Sequence, residues 1–313
     1  MKKEKSHSPE KSHSSWTVSR RVFLKRSGML IVGLSSGIPF AHAGNTGSKA
    51  KLSFGIVTDA HYADTDPNGS RYYRESLSKM SECVTLMNDK KVDFLVELGD
   101  LKDQDNPASE EKTLEYLSTI EKEFGQFEGP RYHVIGNHDL DSISKEQFLA
   151  RVNNTGIAKG SNYYSFDSKG FHLVVLDANY NADESDYDHG NFNWTDSNIP
   201  LKQLNWLRED LASSSKPVIA FIHQQLDSEG PTGVKKNAAE VRQVLQENNR
   251  TLAVFQGHHH PGHYSFIEGI HYYTLKAMVE GAGEMNNSYA IVEVHTDNSI
   301  VITGYRNAVS KTY

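Results

Sequence analysis

The sequence has 313 residues, 37% of them apolar and 10% aromatic, enough for one large core or two modest ones and too apolar for a disordered chain. No apolar run reaches the roughly 18 residues that a membrane-spanning helix needs, so no stable membrane anchor is expected. The only cysteine, Cys83, excludes intramolecular disulfides and a thiolate metal cage.

Charge is unevenly placed. Residues 1–43 carry eight Lys/Arg against two Glu, so of the formal −7 the rest of the chain holds −13. An acidic body of that kind argues against binding along a nucleic-acid backbone. Bound cations would reconcile it with an anionic substrate, because they can be the largest local charges in a site.

Ser19-Arg20-Arg21-Val22-Phe23-Leu24-Lys25 resembles the twin-arginine export motif. A mildly apolar stretch, Gly28 to Phe40, and the small-residue sequence Ala41-His42-Ala43 follow it, in the order signal peptidase reads. Residues 1–43 are therefore expected to be a leader handled by the twin-arginine translocase, 44–51 a linker and 52–313 one domain. A periplasmic or extracellular location follows. Transport of an already folded chain suits a protein that needs no disulfide.

In the mature chain, strand and helix patterns alternate. Leu52–Val57 is β-rich and stops at Thr58-Asp59. Arg71–Asn88 has helical apolar spacing and includes Cys83, expected as a buried, inert thiol. Val92–Leu98 is a strand ending at Gly99-Asp100; Glu110–Phe124 is helical; Tyr132–Ile135 is a strand ending at Gly136-Asn137-His138-Asp139. Tyr163–Phe166 and Phe171–Leu176 flank Ser168-Lys169-Gly170 as a hairpin. Leu201–Leu211 is an amphipathic helix. Val218–Ile222 is a strand ending at His223, Val241–Asn248 is helical, and Leu252–Phe255 is a strand ending at Gly257-His258-His259-His260. Tyr289–Val294 and Ile300–Gly304 close the chain as another hairpin. This order predicts an α/β (α+β) fold in which two packed mixed sheets lie between helices.

Five predicted strands thus end in oxygen or imidazole ligands: Asp59-x-His61, Gly99-Asp100, Gly136-Asn137-His138-Asp139, His223 and Gly257-His258-His259-His260. Sites collect at the carboxyl ends of strands, where a rigid scaffold aims loop side chains, and each glycine permits a sharp turn. Taken singly, a D-x-H pair or a Gly-Asp turn is more often solvated, and a lone histidine after an apolar strand is more often a satisfied core residue. Their recurrence at successive strand ends is what points to chemistry. Imidazole with carboxylate suits divalent manganese, iron or zinc. Two cations need a shared anion, for which Asp100 is the natural candidate.

The set D-x-H, G-D, G-N-H-D, lone His and G-H-x-H resembles the calcineurin-like metallophosphoesterases, whose fold is a four-layer αββα sandwich. The resemblance implies two divalent metal ions: Asp59, His61 and His260 on one, Asp100 between them, and Asn137, His223 and His258 on the other. His138 would then be the catalytic histidine beside the metals. The implied reaction is attack of a metal-activated hydroxide on a small phosphorylated substrate. Asp139 either orients the His138 ring or is a turn residue. His259 is expected to point away, and His133, His172, His189 and His295 to lie outside the site.

A narrower similarity is to the manganese-dependent ADP-ribose/CDP-alcohol diphosphatases. It is carried by Phe54–Asn106 with Arg71-Tyr72-Tyr73-Arg74, by Tyr163-Tyr164-Ser165-Phe166, by the Gln203–Leu207 helix, and by Gly269-Ile270-His271 with Thr274-Leu275. It implies a nucleotide-linked substrate. Where that group commonly has Gln in the first motif, this chain has His61. Arg71, Tyr72 and Tyr73 either line a substrate pocket or, the favoured reading, pack the first helix. The segment Tyr180–Trp194 is either a lid or a surface insertion. Competing readings are a broad phosphomonoesterase or phosphodiesterase, and a secreted binding protein that has lost catalysis. The latter should lack ligands, and this chain has the full set.

Overall fold

The computed structural model describes residues 49–313, so the expected leader (1–43) and most of the expected linker lie outside the described residues. The first strand, β1 (Ala50–Val57), begins inside the segment expected to be linker. It is followed by α1 (Ser76–Lys90), β2 (Phe94–Glu97), α2 (Glu110–Phe124), β3 (Arg131–His133) and α3 (Lys145–Leu149). The second half holds β4 (Tyr164–Ser168), β5 (Phe171–Val175), α4 (Leu201–Ser213), β6 (Val218–Ile222), α5 (Ala238–Glu247), β7 (Thr251–Gln256), β8 (His263–Ile267) and β9 (Ile270–Thr274). β10 (Ser288–His295), β11 (Ile300–Arg306) and β12 (Lys311–Thr312) complete it.

Among the described residues the strands form two six-stranded mixed sheets, in the orders β12-β11-β10-β1-β2-β3 and β4-β5-β6-β7-β9-β8. Strand alternation assigns the faces. Leu52, Phe54 and Ile56 of β1 meet Ile219 and Phe221 of β6 and Phe255 of β7 in a core between the sheets. Phe54 stacks on Phe94 at 4.9 Å between ring centres and meets Phe221 and Phe255 edge-on. On the outer face of the first sheet, Met80, Val84 and Met87 of α1 pack with Leu117, Ile120 and Phe124 of α2. Leu204, Leu207 and Leu211 of α4 and Val241 and Leu245 of α5 cover the other sheet. The result is the expected four-layer αββα sandwich. No helix among the described residues is long and apolar enough to cross a membrane.

The α1 pattern read from Arg71 is realised only from Ser76. Arg71 and Asn68 exchange backbone hydrogen bonds, and the Tyr72 N–H donates to the Val279 carbonyl, so this stretch is spent on loop contacts before a 3-10 turn at Tyr73–Glu75. Helix α3, the edge hairpin β8–β9 and the short β12 had no clear periodic signal. Cys83 is free and fully buried, and burial pushes its thiol well above the ordinary range, as an inert core residue requires.

Candidate metal centre

The parallel register of β1, β2 and β3, and of β5, β6 and β7, sends each set of carboxyl ends the same way. The loops beyond those ends carry the candidate ligands, stitched together by backbone hydrogen bonds. The Asp59 N–H donates to the Gly99 carbonyl (2.9 Å), His61 N–H to Asp100 (2.8 Å) and Gly257 N–H to His223 (3.0 Å). Asp59, His61, Asp100 and His258 all take left-handed backbone, with φ of 51°, 46°, 58° and 65°. Such conformations cost on the order of 1–3 kcal/mol each in non-glycine residues and cluster at functional sites. Neighbouring glycines make room: a Cβ on Gly257 would lie 2.1 Å from Thr58 Oγ1 and 2.9 Å from Asp59 Oδ2, and one on Gly136 would lie 2.2 Å from Asp100 Oδ1.

Two groups of three side chains converge, with their ligand atoms within 4.8 Å of one another: Asp59, His61 and His260, and Asp100, His223 and His258. One oxygen joins them. Asp100 Oδ2 lies 3.5 Å from His61 Nε2 and 3.1 Å from His223 Nε2. Asp59 Oδ1 lies 3.4 Å from His260 Nε2 and 3.7 Å from His61 Nε2, while its Oδ2 is engaged by the Thr58 hydroxyl and the His258 N–H. The remaining capacity is conspicuous. Asp59 Oδ1, Asn137 Oδ1, His223 Nε2 and His258 Nε2 are buried without a hydrogen-bond partner. Buried polar atoms normally have partners, so orphans of this number need an occupant. Divalent cations fit the donor set, all oxygen and imidazole.

The outer contacts orient the rings. His223 Nδ1–H donates to the Leu98 carbonyl (2.8 Å), His61 Nδ1–H to Asp103 (3.2 Å) and His260 Nδ1–H to Glu280 (2.6 Å). Each such bond leaves Nε2 facing the centre, as outer partners of metal-binding histidines do. A further grouping of His61, Asp103 and His138 uses the opposite edge of His61 and reads as this support, not as a separate centre. Electrostatics agree. Burial raises the Asp59 and Asp100 carboxyls, but the imidazoles beside them outweigh it and hold both well below the ordinary range. Burial lowers His223, yet Asp100 lifts it to about 9, whereas burial and His223 drive His258 down to about 3. The pocket favours positive charge and keeps one neutral imidazole available.

Asp139 does not orient His138. Its carboxylate accepts the N–H groups of Gly136, Asp100 and Leu101 at 2.8–3.0 Å, so it braces the turn that carries Asp100. Burial and Asp100 raise it to about 6. The His138 ring instead faces Asp141 and Asp103, and for it burial is outweighed by Asp141 and Asp100, which hold the imidazole well above the ordinary histidine range. Arg71 stands at the rim with Nη1 3.9 Å from Asp103. Tyr73 is buried in the core beneath α1, and Tyr72 is half-buried, with its N–H committed to Val279. The Tyr180–Trp194 segment is folded onto the body. Lys145 lies over the Tyr180 ring, Tyr187 is buried against Phe192, and Trp194, 44% exposed, meets His258 edge-on at 5.5 Å. His133 and His172 are held by carboxylates elsewhere, and His259 joins neither group.

Sequence reading missed Asp103, Asp141, Glu280 and the buried Glu97, which accepts the Gly99 N–H at 2.9 Å. A carboxylate three residues past Asp100 was the one available signal, for Asp103.

A layered sandwich with paired His-carboxylate groups on the strand ends defines a two-metal phosphoesterase. The chain belongs to the calcineurin-like phosphoesterase family, whose model matches residues 52–262. It is a metal-dependent hydrolase of phosphoester or phosphoanhydride bonds that works with two divalent cations. It is 27% identical, over 83% of its own length and 96% of the relative's, to a manganese-dependent ADP-ribose/CDP-alcohol diphosphatase of Arabidopsis thaliana. A protein of the same description from Oryza sativa subsp. japonica is 26% identical over 80% of this chain and 90% of that one. In fold, the chain resembles a dimetal phosphatase from Danio rerio with TM-score 0.73 and 22% identity, covering 84% of this chain and 99% of that one.

Proposed function

We propose that the chain is a diphosphatase for nucleotide-linked substrates of the ADP-ribose/CDP-alcohol type. The observation that carries this is its match to diphosphatases along nearly their whole length. Two rim residues support it. Trp194 offers an exposed flat ring beside His258, and Arg71 a guanidinium at the opposite group, suited to a base and to a phosphate.

In this reading Asp59, His61 and His260 would hold one cation and Asn137, His223 and His258 the other, with Asp100 shared by the two groups. When bound, the cations supply Lewis acidity toward phosphoryl oxygens and make water nucleophilic near neutral pH. The chain's own residues do the rest. Asp139 and the Asp103, Glu280 and Leu98 contacts fix the ligands, and His138 donates a proton to the departing oxygen. The test is a metal-stripped preparation reloaded with manganese, iron or zinc and assayed on ADP-ribose, CDP-choline, a bis-aryl phosphate and an aryl monophosphate. The nucleotide-linked diphosphates should show the highest kcat/KM. Preference for the aryl monophosphate would overturn the substrate assignment.

The twin-arginine sequence further supports export of a folded, metal-loaded enzyme to the periplasm or beyond. Arg20→Lys with Arg21→Lys should leave active enzyme inside the cell with residues 1–43 uncleaved. Normal processing of that variant in a fractionation assay would point to a general secretory route instead.

A further inference from the structure

His138 is held from three directions. Its N–H donates to Asp100 Oδ1 at 2.8 Å, and its carbonyl accepts from the ammonium of Lys102, a fully buried lysine. Its ring Nδ1 lies 2.7 Å from Asp141 Oδ2, a carboxylate 13% exposed. The contact is an ion pair that falls short of hydrogen-bond geometry, and among the described residues neither atom has a hydrogen-bond partner. Asp103 is the competitor for this ring, at 3.5 Å through Oδ1. Both its oxygens are already used, however: Oδ2 accepts from His61, and Oδ1 accepts the Gln104 N–H at 2.7 Å. Local structure explains the Asp141 contact. His138–Leu140 is a 3-10 turn, and at three residues per turn the side chains at i and i+3 eclipse.

We infer that Asp141 is the positioning residue of His138, fixing its ring so that Nε2–H faces the leaving-group oxygen while Asp103 serves His61. The inference rests on the reading of His138 as the acid. In the step concerned, the bond from phosphorus to the leaving oxygen breaks, its electron pair stays on that oxygen, and the Nε2 proton moves to it. The ring ends neutral, with Nδ1–H still toward Asp141. Asp141 belongs to neither candidate ligand group, so its removal should matter only when the leaving group needs a proton.

That condition sets the experiment, run on the metal-loaded enzyme with one 5′-nucleoside monophosphate esterified either to 4-nitrophenol or to a simple alkyl alcohol. Asp141→Asn should lower kcat on the alkyl ester by about 10–100-fold, as loss of an outer-contact partner does, and on the nitrophenyl ester by less than about 3-fold. Both cations should remain bound, and Asp141→Glu should recover part of the alkyl-ester rate. Combined with His138→Ala, Asp141→Asn should add nothing further, the mark of residues acting as one unit. Equal loss on both esters, or loss of metal, would make Asp141 a structural residue and overturn the inference. His138→Ala separates the two failures. If it shows no leaving-group dependence, the acid reading itself falls; if it shows a steep one that Asp141→Asn lacks, only the positioning role falls.

Discussion

Two clusters in this protein are built from the same parts and behave oppositely. At the edge of the second sheet, His172 gives Nδ1 to Asp167 (2.9 Å) and Nε2 to Asp210 (2.8 Å). Lys216 and Ser165 take the remaining carboxylate oxygens. Every polar atom is answered, and the histidine sits in regular strand β5. At the strand ends, the imidazoles, carboxylates and the Asn137 amide of the candidate metal centre leave four buried atoms unanswered, and four of its residues take left-handed backbone. Composition does not distinguish the two clusters. Unspent bonding capacity and backbone strain do, because a folded chain keeps both only where something else binds.

The widest separation should come from removing the carboxylate at the heart of each. Asp100→Ala takes away an oxygen that faces both groups. Turnover should fall below about a thousandth of wild type and most bound metal should be lost, since in the proposed ligand set both cations would lose their shared anion. Asp210→Ala should leave metal content and kcat unchanged. Elemental analysis beside steady-state rates checks both, and an Asp100→Ala enzyme that keeps both cations at near wild-type rate would break the contrast.

A smaller effect should follow from glycines, without touching a ligand. Gly257→Ala places a methyl 2.1 Å from Thr58 Oγ1 and pushes on Asp59. Metal affinity should fall about 10–100-fold, as it does when a ligand's support is disturbed. Gly269, by contrast, has positive φ (83°) in an open hairpin turn with nothing near its Cβ. Gly269→Ala should cost about 1 kcal/mol of stability through backbone strain alone, with metal affinity intact. Metal titration with thermal melts distinguishes the two.

These contrasts also mark what the sequence could disclose. Strand ends were readable because apolar runs stop at Asp59, Asp100, Asn137, His223 and His258, and helix periodicity located α2 residue for residue. The supporting carboxylates were not readable. Glu280 reaches His260 from a segment with no periodic pattern, and Asp141 meets His138 only because the chain takes a 3-10 turn there. Asp139, adjacent in sequence to His138, turned out to brace another loop, since in that turn its carboxylate falls among backbone N–H groups. Neighbourhood in sequence marked the loops that the fold brings together at the strand ends, but not the hydrogen-bond partners of their side chains.

The smallest expected effect belongs to the satisfied cluster and appears as a dependence of stability on pH. His172 gains the Asp210 hydrogen bond, and although burial opposes protonation, that bond with the Asp167 contact raises its pKa above 6.5. The groups facing it are Asp210, Asp167 and, through Asp167, Lys216. A histidine whose folded pKa exceeds its unfolded one stabilises the fold fully below the unfolded value, near 6.5, and the contribution disappears as pH climbs through the folded value. Melting temperature should therefore decline from pH 6 toward pH 9 in the wild type. In His172→Gln, which keeps a polar side chain but cannot titrate, the decline should be shallower by a few degrees. Metal content and kcat at pH 7 should match the wild type, because this cluster shares no hydrogen bond with the centre. Parallel melts of the two proteins across that range decide it. Identical slopes would mean that the His172 contacts form without a proton, and loss of metal in His172→Gln would show the two clusters coupled after all.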